Sequence, residues 1–191
     1  MVCREALEEA LNKYAKLFGL TVKSAVVSTG VINFYPDLLK ACEANVCRKY
    51  NACWTCPPAI EPMQNQIAKI SSYDSALVFT TISGIEDSFD YEGMMKASGD
   101  HYRLTSEMHL QFGKTNPVFG AGGCKICEAC AYPEPCRFPE KIFSSVEAAG
   151  INVTDLSLSG GLRYNNGENT VTFFSMILFN NIGVSGENTA A

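Results

Sequence analysis

Positive charge is scarce in this sequence. Its 15 Lys and Arg stand against 20 Asp and Glu, a formal net charge of −5, and no segment concentrates the basic residues. A phosphate backbone would find no patch to neutralise it, so no nucleic-acid partner is expected. Histidine is scarcer still. His101 and His109 are the only two, and eight residues apart they do not form the paired ligand face that histidines four apart give a helix; both are read as packing residues. No run reaches the roughly 18 apolar residues of a membrane span. The first nine residues, charged from Arg4 onward, lack the apolar run and small-residue cleavage site of a signal peptide. A cytoplasmic location with no membrane partner is therefore expected. Also missing are G-x-x-x-x-G-K-[ST], a dinucleotide fingerprint, H-E-x-x-H and G-x-S-x-G, which removes the usual local signs of nucleotide, zinc-protease and serine-hydrolase chemistry.

Cysteine is the residue type in excess, with nine in 191 residues. A chain of this length buries enough surface to fold without help from a metal. In a reducing compartment grouped thiols point to metal or redox chemistry rather than disulfides, and an odd count leaves one over in any all-disulfide scheme.

Eight of the nine fall in two groups. The first is Cys42-x4-Cys47-x5-Cys53-x2-Cys56-Pro57-Pro58, and the second is Cys124-x2-Cys127-x2-Cys130-x5-Cys136-Arg137. Three cysteines at two-residue gaps let a loop wrap a compact cluster, each thiolate reaching a different iron, with a more distant cysteine supplying the last ligand. Zinc instead surrounds one ion with four ligands, typically from two C-x2-C pairs. The second group therefore favours one 4Fe-4S cluster, with zinc as the alternative. The first group, less even in spacing, has enough thiols for a second cluster. Its Cys53-x2-Cys56 pair also resembles half a zinc site or a redox dithiol. A mixed assignment, in which Cys56 before Pro57 completes the cluster begun by Cys124, Cys127 and Cys130, stays open.

The residues around the cysteines suit such a centre. Gly120, Gly122 and Gly123 free the backbone to turn tightly and aim N–H groups at anionic sulfur. Pro57, Pro58, Pro133, Pro135 and Pro139 restrict the loops. Trp54 and Tyr132 either shield the centre or simply pack. Arg137 either hydrogen-bonds the centre or an anion, or pairs with Glu134 or Glu140. The acidic run Glu86, Asp87, Asp90 and Glu92 is read as complementing a helix dipole rather than as a cation site.

Hydrophobic spacing predicts helices over residues 4–18, from Pro36 toward Cys42, after Pro62, and over 89–112. A capping box of Ser144 and Glu147 predicts another short helix ending at Gly150. Strands are expected at Val22–Ser28, Ala76–Ile82, Pro117–Phe119 and Thr170–Phe179. The expected fold is α/β: a single layered domain over residues 1–182, with a roughly four-stranded sheet flanked by helices and two cysteine-rich metal-binding loops. Residues 183–191 are expected to form a flexible tail.

Three stretches carry a resemblance: Cys47-Arg-Lys-Tyr50-Asn-Ala-Cys-Trp54-Thr-Cys56-Pro57-Pro58, Gly122-Gly123-Cys124-Lys-Ile-Cys127-Glu-Ala-Cys130-Ala-Tyr-Pro133-Glu-Pro135-Cys136-Arg137, and Ser145-Val-Glu147-Ala148-Ala-Gly150-Ile151. Together they resemble the "predicted metal-binding protein" family, domain of unknown function 2284. The resemblance implies metal binding and brings no established reaction. It places the family's cysteines at Cys42, Cys47, Cys56, Cys124, Cys127, Cys130 and Cys136; Cys53 falls where another residue type is expected, and Cys3 has no counterpart. Seven ligands do not divide into two sets of four, which implies one site with a non-cysteine or open position.

Three functions follow from these readings. The first is an iron-sulfur protein exchanging electrons with a partner protein. The second is an iron-sulfur enzyme acting on a small molecule at an open iron. The third is a zinc-stabilised interaction module.

Overall fold

Leu7, Ala10, Leu11 and Ala15 recur at helical spacing along α1 (Arg4–Phe18) and are all buried. Gly19 ends the helix in the left-handed region, φ 67°, and its N–H returns to the last turn, as glycine allows at little steric cost. The structure is a computed structural model that describes residues 2–181; the expected tail at 183–191 lies outside the described residues.

The elements then run β1 (Thr21–Ser28), α2 (Pro36–Glu43), α3 (Met63–Ser71), β2 (Ser75–Gly84), α4 (Tyr91–Phe112), β3 (Val118–Phe119), α5 (Val153–Ser159) and β4 (Thr170–Phe179). The strands form one sheet in the order β1-β2-β4-β3 with every neighbouring pair antiparallel. The fold is thus α/β with a single four-stranded sheet, and each of its strands falls where the apolar runs place one.

Both faces of the central strands are covered. Ala76 and Val78 of β2 with Phe174, Met176 and Leu178 of β4 pack against Ile70 of α3 and Leu156 of α5. The alternate residues Leu77, Phe79, Ile177 and Phe179 pack against Leu7 and Leu11 of α1 and Leu104 and Met108 of α4. This two-sided burial explains why β2 reads as a nearly continuous apolar run rather than an alternation. Each fully buried leucine contributes about 1.5–3 kcal/mol relative to exposure.

Helix α4 starts where the acidic run predicts a helix end. Asp90 accepts from Gly93 N at 2.7 Å and from Glu86 N at 3.0 Å, and Asp87 accepts from Phe89 N. These carboxylates serve as caps, in keeping with the helix-terminus reading.

His101 of α4 is a core residue, as its spacing from His109 implies. Thr105 Oγ1 gives its proton to His101 O and so accepts from Ser175 Oγ (2.9 Å). Ser175 in turn accepts from His101 Nε2 (2.7 Å), which leaves His101 Nδ1 to accept from Thr81 (2.9 Å). The chain of bonds fixes a neutral imidazole, and burial lowers its pKa from 6.5 to about 3. Below pH 6.5 the unfolded chain therefore binds a proton that the folded one refuses. Stability from this group is fully present above that pH and is lost as pH falls toward 3, at up to about 1.4 kcal/mol per pH unit. Denaturant titrations at about pH 7 and about pH 5 should show this loss, and the His101→Gln variant should show a smaller difference between the two.

Two local readings need correction. The residues after Ser144 form a single 3-10 turn, Glu147–Ala149, rather than an α-helix. Its N-cap, Val146, offers no side-chain bond, and Ser145, one residue earlier, accepts from Ala148 N through its Oγ (3.1 Å); Gly150 ends the turn in the left-handed region as expected, φ 80°. Helix α5 has no counterpart among the sequence expectations. Its signal was Asn152, whose side chain accepts from Thr154 N and Asp155 N, followed by too few apolar residues to show a period.

Candidate metal centre

The first cysteine group begins in the last turn of α2, at Cys42, and continues through a stretch with no helix or strand until Met63. Asn45, Arg48 and Asn51 all take left-handed backbone conformations, φ 52°, 58° and 52°. Asparagine accepts this readily, whereas Arg48, beside Cys47, does so at a cost on the order of 1 kcal/mol. Bonds from Tyr50 N to Asn45 Oδ1, from Asn51 N to Pro57 O and from Cys56 N to Cys53 O wind the loop into successive turns.

The second group follows the end of β3. Gly120 N donates to Ser144 O and Val146 N to Gly120 O, both at 2.9 Å, which anchors the glycine run against the segment leading to Glu147. A Cβ on Gly120 would stand 2.4 Å from the Phe143 ring, so glycine is needed for the close approach. Of the glycine N–H groups expected to face sulfur, that of Gly120 is thus already paired with a carbonyl; further along the same run Cys124 N donates to Thr55 Oγ1 (3.1 Å).

Thr55 is the hinge pin between the loops. It is buried, and its hydroxyl also contacts Cys53 Sγ at 3.3 Å. Trp54 Nε1 donates to Glu134 O (2.8 Å), Trp54 meets Tyr132 edge-on at 5.0 Å, and Tyr132 OH donates to Asn51 Oδ1. The two aromatics therefore join the loops. Arg137 pairs with neither Glu134 nor Glu140; it donates to Ala129 O (2.5 Å) and closes the second loop on itself.

The result is one narrow pocket of about 20 Å³, room for about one water, with Cys53, Cys124, Cys127, Cys130 and Cys136 on its wall, together with Lys49, Arg137, Ile126, Phe138 and Ile142. Cysteines from both loops meet there, and the one contributed by the first loop is Cys53 rather than Cys56. Cys42, Cys47 and Cys56 lie off this wall. Cys56 is nonetheless close to the second loop, since a Cβ on Gly123 would stand 3.4 Å from its Sγ. All nine cysteines are free thiols. Among the described residues no three His, Cys, Asp or Glu side chains are grouped closely enough to hold a single ion; the second-group thiols line a space instead.

The electrostatics favour thiolate at the junction of the loops. The bond with Cys56 lowers the pKa of Cys53 most, to about 4, against the opposing effect of burial, and the Thr55 hydroxyl and the backbone N–H groups of Thr55 and Cys124 lower it further. Cys56, the partner that keeps its proton, is pushed up by that bond and by burial. Cys42 is raised by burial, then by the charges of Cys47 and Glu147. Tyr102 of α4 donates to Cys124 Sγ at 3.6 Å, and burial followed by this bond raises its pKa.

The family model described as predicted metal-binding protein (DUF2284) matches residues 25–179. The chain belongs to this family. The matched span contains all eight grouped cysteines and excludes Cys3. No curated protein and no solved structure matches the chain.

Sequence reading missed Thr55, Tyr102, Lys49 and Glu147 as neighbours of the thiols. Thr55 alone carried a local sign, lying inside the Cys53-x2-Cys56 turn. Replacing Thr55 by Val should strand the Cys124 N–H and cost about 1–3 kcal/mol, read as a drop in the urea midpoint of the metal-free protein.

Proposed function

We propose that the protein carries iron-sulfur clusters and exchanges electrons with a partner protein. The observation that supports this reading most is the cavity whose wall combines five cysteines from two distant loops. Soft thiolates in this number suit iron-sulfur chemistry, and the two-residue gaps of Cys124, Cys127 and Cys130 suit a cluster whose irons take separate ligands. Cys124, Cys127, Cys130 and Cys136 would hold one cluster, probed from the other loop by Cys53; Cys42, Cys47 and Cys56 would hold a second centre. When bound, a cluster supplies one-electron redox chemistry.

The surrounding residues have defined tasks in this reading. Lys49 and Arg137 place positive charge beside an anionic group, while Ile126, Phe138 and Ile142 limit water. Tyr102 donates to a ligand sulfur and Thr55 holds the backbone of Cys124, the kinds of contact that set a cluster's potential. Anaerobically expressed protein supplied with iron should be brown and give a spin-resonance signal on reduction. A colourless protein with stoichiometric zinc, unfolded by chelation without any redox signal, would mean the zinc-stabilised module instead.

One observation favours the small-molecule enzyme as a second reading. A cleft of about 490 Å³, within the size range of ligand sites, shares Trp54, Thr55 and Ile142 with the cysteine cavity and bears Lys69, Lys114 and Glu61. Cluster spectra that shift when small molecules are added would support this reading over pure electron relay.

A further inference from the structure

Gln66 stands where the packing of α3 calls for an apolar residue. It lies one turn before Ile70 on the same face of the helix, and these two are the buried residues of α3. Gln66 is only 5% exposed, and its side-chain amide makes no hydrogen bond among the described residues. A side chain that has lost its water without gaining a partner destabilises the fold, and it calls for an explanation. Gln66 lines the cleft of about 490 Å³ that shares Trp54, Thr55 and Ile142 with the cysteine pocket, so a molecule seated there would supply the missing bonds.

The other polar groups of the cleft set the charge of that molecule. Lys69, in the last turn of α3, and Lys114, just beyond the end of α4, lie on the wall, and neither makes a salt bridge among the described residues. Against them stands the carboxylate of Glu61. His109 adds no charge, because burial lowers its pKa. In a chain of net charge −5 this makes a cleft of positive sign, which draws anions. Lysines near helix C-termini also complement the helix dipoles, but that role leaves Gln66 unexplained. Two cations against one carboxylate, with no arginine on the wall, suit a monoanion better than a phosphate dianion.

The rest of the wall is largely apolar and held in place. Trp54 is fixed by its bond to Glu134 O (2.8 Å) and by Tyr132 edge-on, and Phe143 by stacking on Tyr102 at 5.1 Å. Rigid aromatic walls with a few placed polar groups are what a small-molecule site needs. We infer that the cleft binds a small aromatic carboxylate, with its ring against Trp54 and Phe143, its carboxylate toward Lys69 and Lys114, and a polar edge on the Gln66 amide. The inference rests on the second reading above, whose cleft it fills, and requires nothing of the metal.

The test titrates the full chain, purified without oxygen, with trans-cinnamate, with its uncharged analogue cinnamyl alcohol and with inorganic phosphate. Calorimetry gives the affinity, and the fluorescence of Trp54, the only tryptophan, gives the location. Cinnamate should change that fluorescence saturably and bind about tenfold more tightly than either other probe. Lys69→Met and Lys114→Met, both at exposed positions, should each weaken it severalfold. Gln66→Leu should also weaken it while raising the urea midpoint of the free protein, a pairing that a merely structural glutamine would not give. No saturable change with cinnamate, equal affinity for cinnamyl alcohol or phosphate, or wild-type affinity in the lysine variants or in Gln66→Leu would overturn the inference and leave the metal reading standing, since no thiol enters these readouts. Should Gln66→Leu fail to fold, the lysine variants decide. Selective cinnamate binding that leaves the metal spectrum unmoved would support the inference and count against the enzyme reading alone.

Discussion

Replacing Cys127 by serine should strip the anaerobically loaded protein of most of its second-group iron and sulfide while leaving the fold intact. The residue lies in the middle of the triplet and on the cavity wall, so its sulfur has neighbours on both sides in the chain to share a cluster with. A serine hydroxyl is a poor replacement, because its oxygen is a harder donor than the soft sulfur that iron-sulfur clusters take. Changes in the outer shell of a metal site cost about 10–100-fold in affinity, and loss of a direct ligand should cost more. The fold should survive because the loop contributes nothing to either face of the sheet: of the eight grouped cysteines only Cys53 is buried, and the two core clusters contain none of them. Iron per chain, visible absorbance and far-ultraviolet dichroism on the same sample would check both halves of this expectation. Unchanged iron would remove Cys127 from the ligand set.

The largest effect on stability should come from Phe79→Ala. Phe79 is wholly buried in the middle of β2, between strands β1 and β4, with the His101 ring 6.0 Å away centroid to centroid. Removing an aromatic side chain at such a site costs about 3–5 kcal/mol, from lost transfer energy and the cavity left behind. This is a large share of the roughly 5–15 kcal/mol that holds a typical domain together. Two-sided packing leaves little room for collapse, since α1 and α4 are fixed against the same face by Tyr14 OH donating to Gln111 Oε1 (2.9 Å) and by Arg103 lying over the Phe18 ring at 3.7 Å. Urea denaturation of the variant and wild type at the same pH measures the difference, and a change below about 1 kcal/mol would contradict the packing described.

The sheet was legible in the sequence because its strands are buried on both faces. Continuous apolar runs such as Ala76-Leu77-Val78-Phe79 leave little choice of element, and Gly19, Pro36, Pro62 and Gly113 mark the neighbouring helix ends. Helix α5 was not legible, because its seven residues bury only Leu156 and Ser157 and too short a segment shows no period. Strand order and antiparallel pairing were also out of reach, since nothing local distinguishes a crossover from a return.

At the candidate centre the spacing of cysteines pointed to metal binding but did not show which cysteines face one another. The spacing left open whether Cys56 before proline joins the second group; Cys53 lines that wall, and Cys56 Sγ lies beside Gly123 of the same loop. The placement of Cys53 comes from Thr55, whose buried hydroxyl binds Cys124 N and draws the side of the turn bearing Cys53 inward. Glu147 was hidden for a similar reason. Its proximity to Cys42 is made by α2 packing on a turn about a hundred residues further along the chain, a contact no spacing rule reports.

Analysis of iron, acid-labile sulfide and zinc in protein purified without oxygen tests the account at its root. Iron and sulfide present in comparable amounts, several of each per chain and with little zinc, are the result expected. Zinc in place of iron, with no sulfide released by acid, would contradict it.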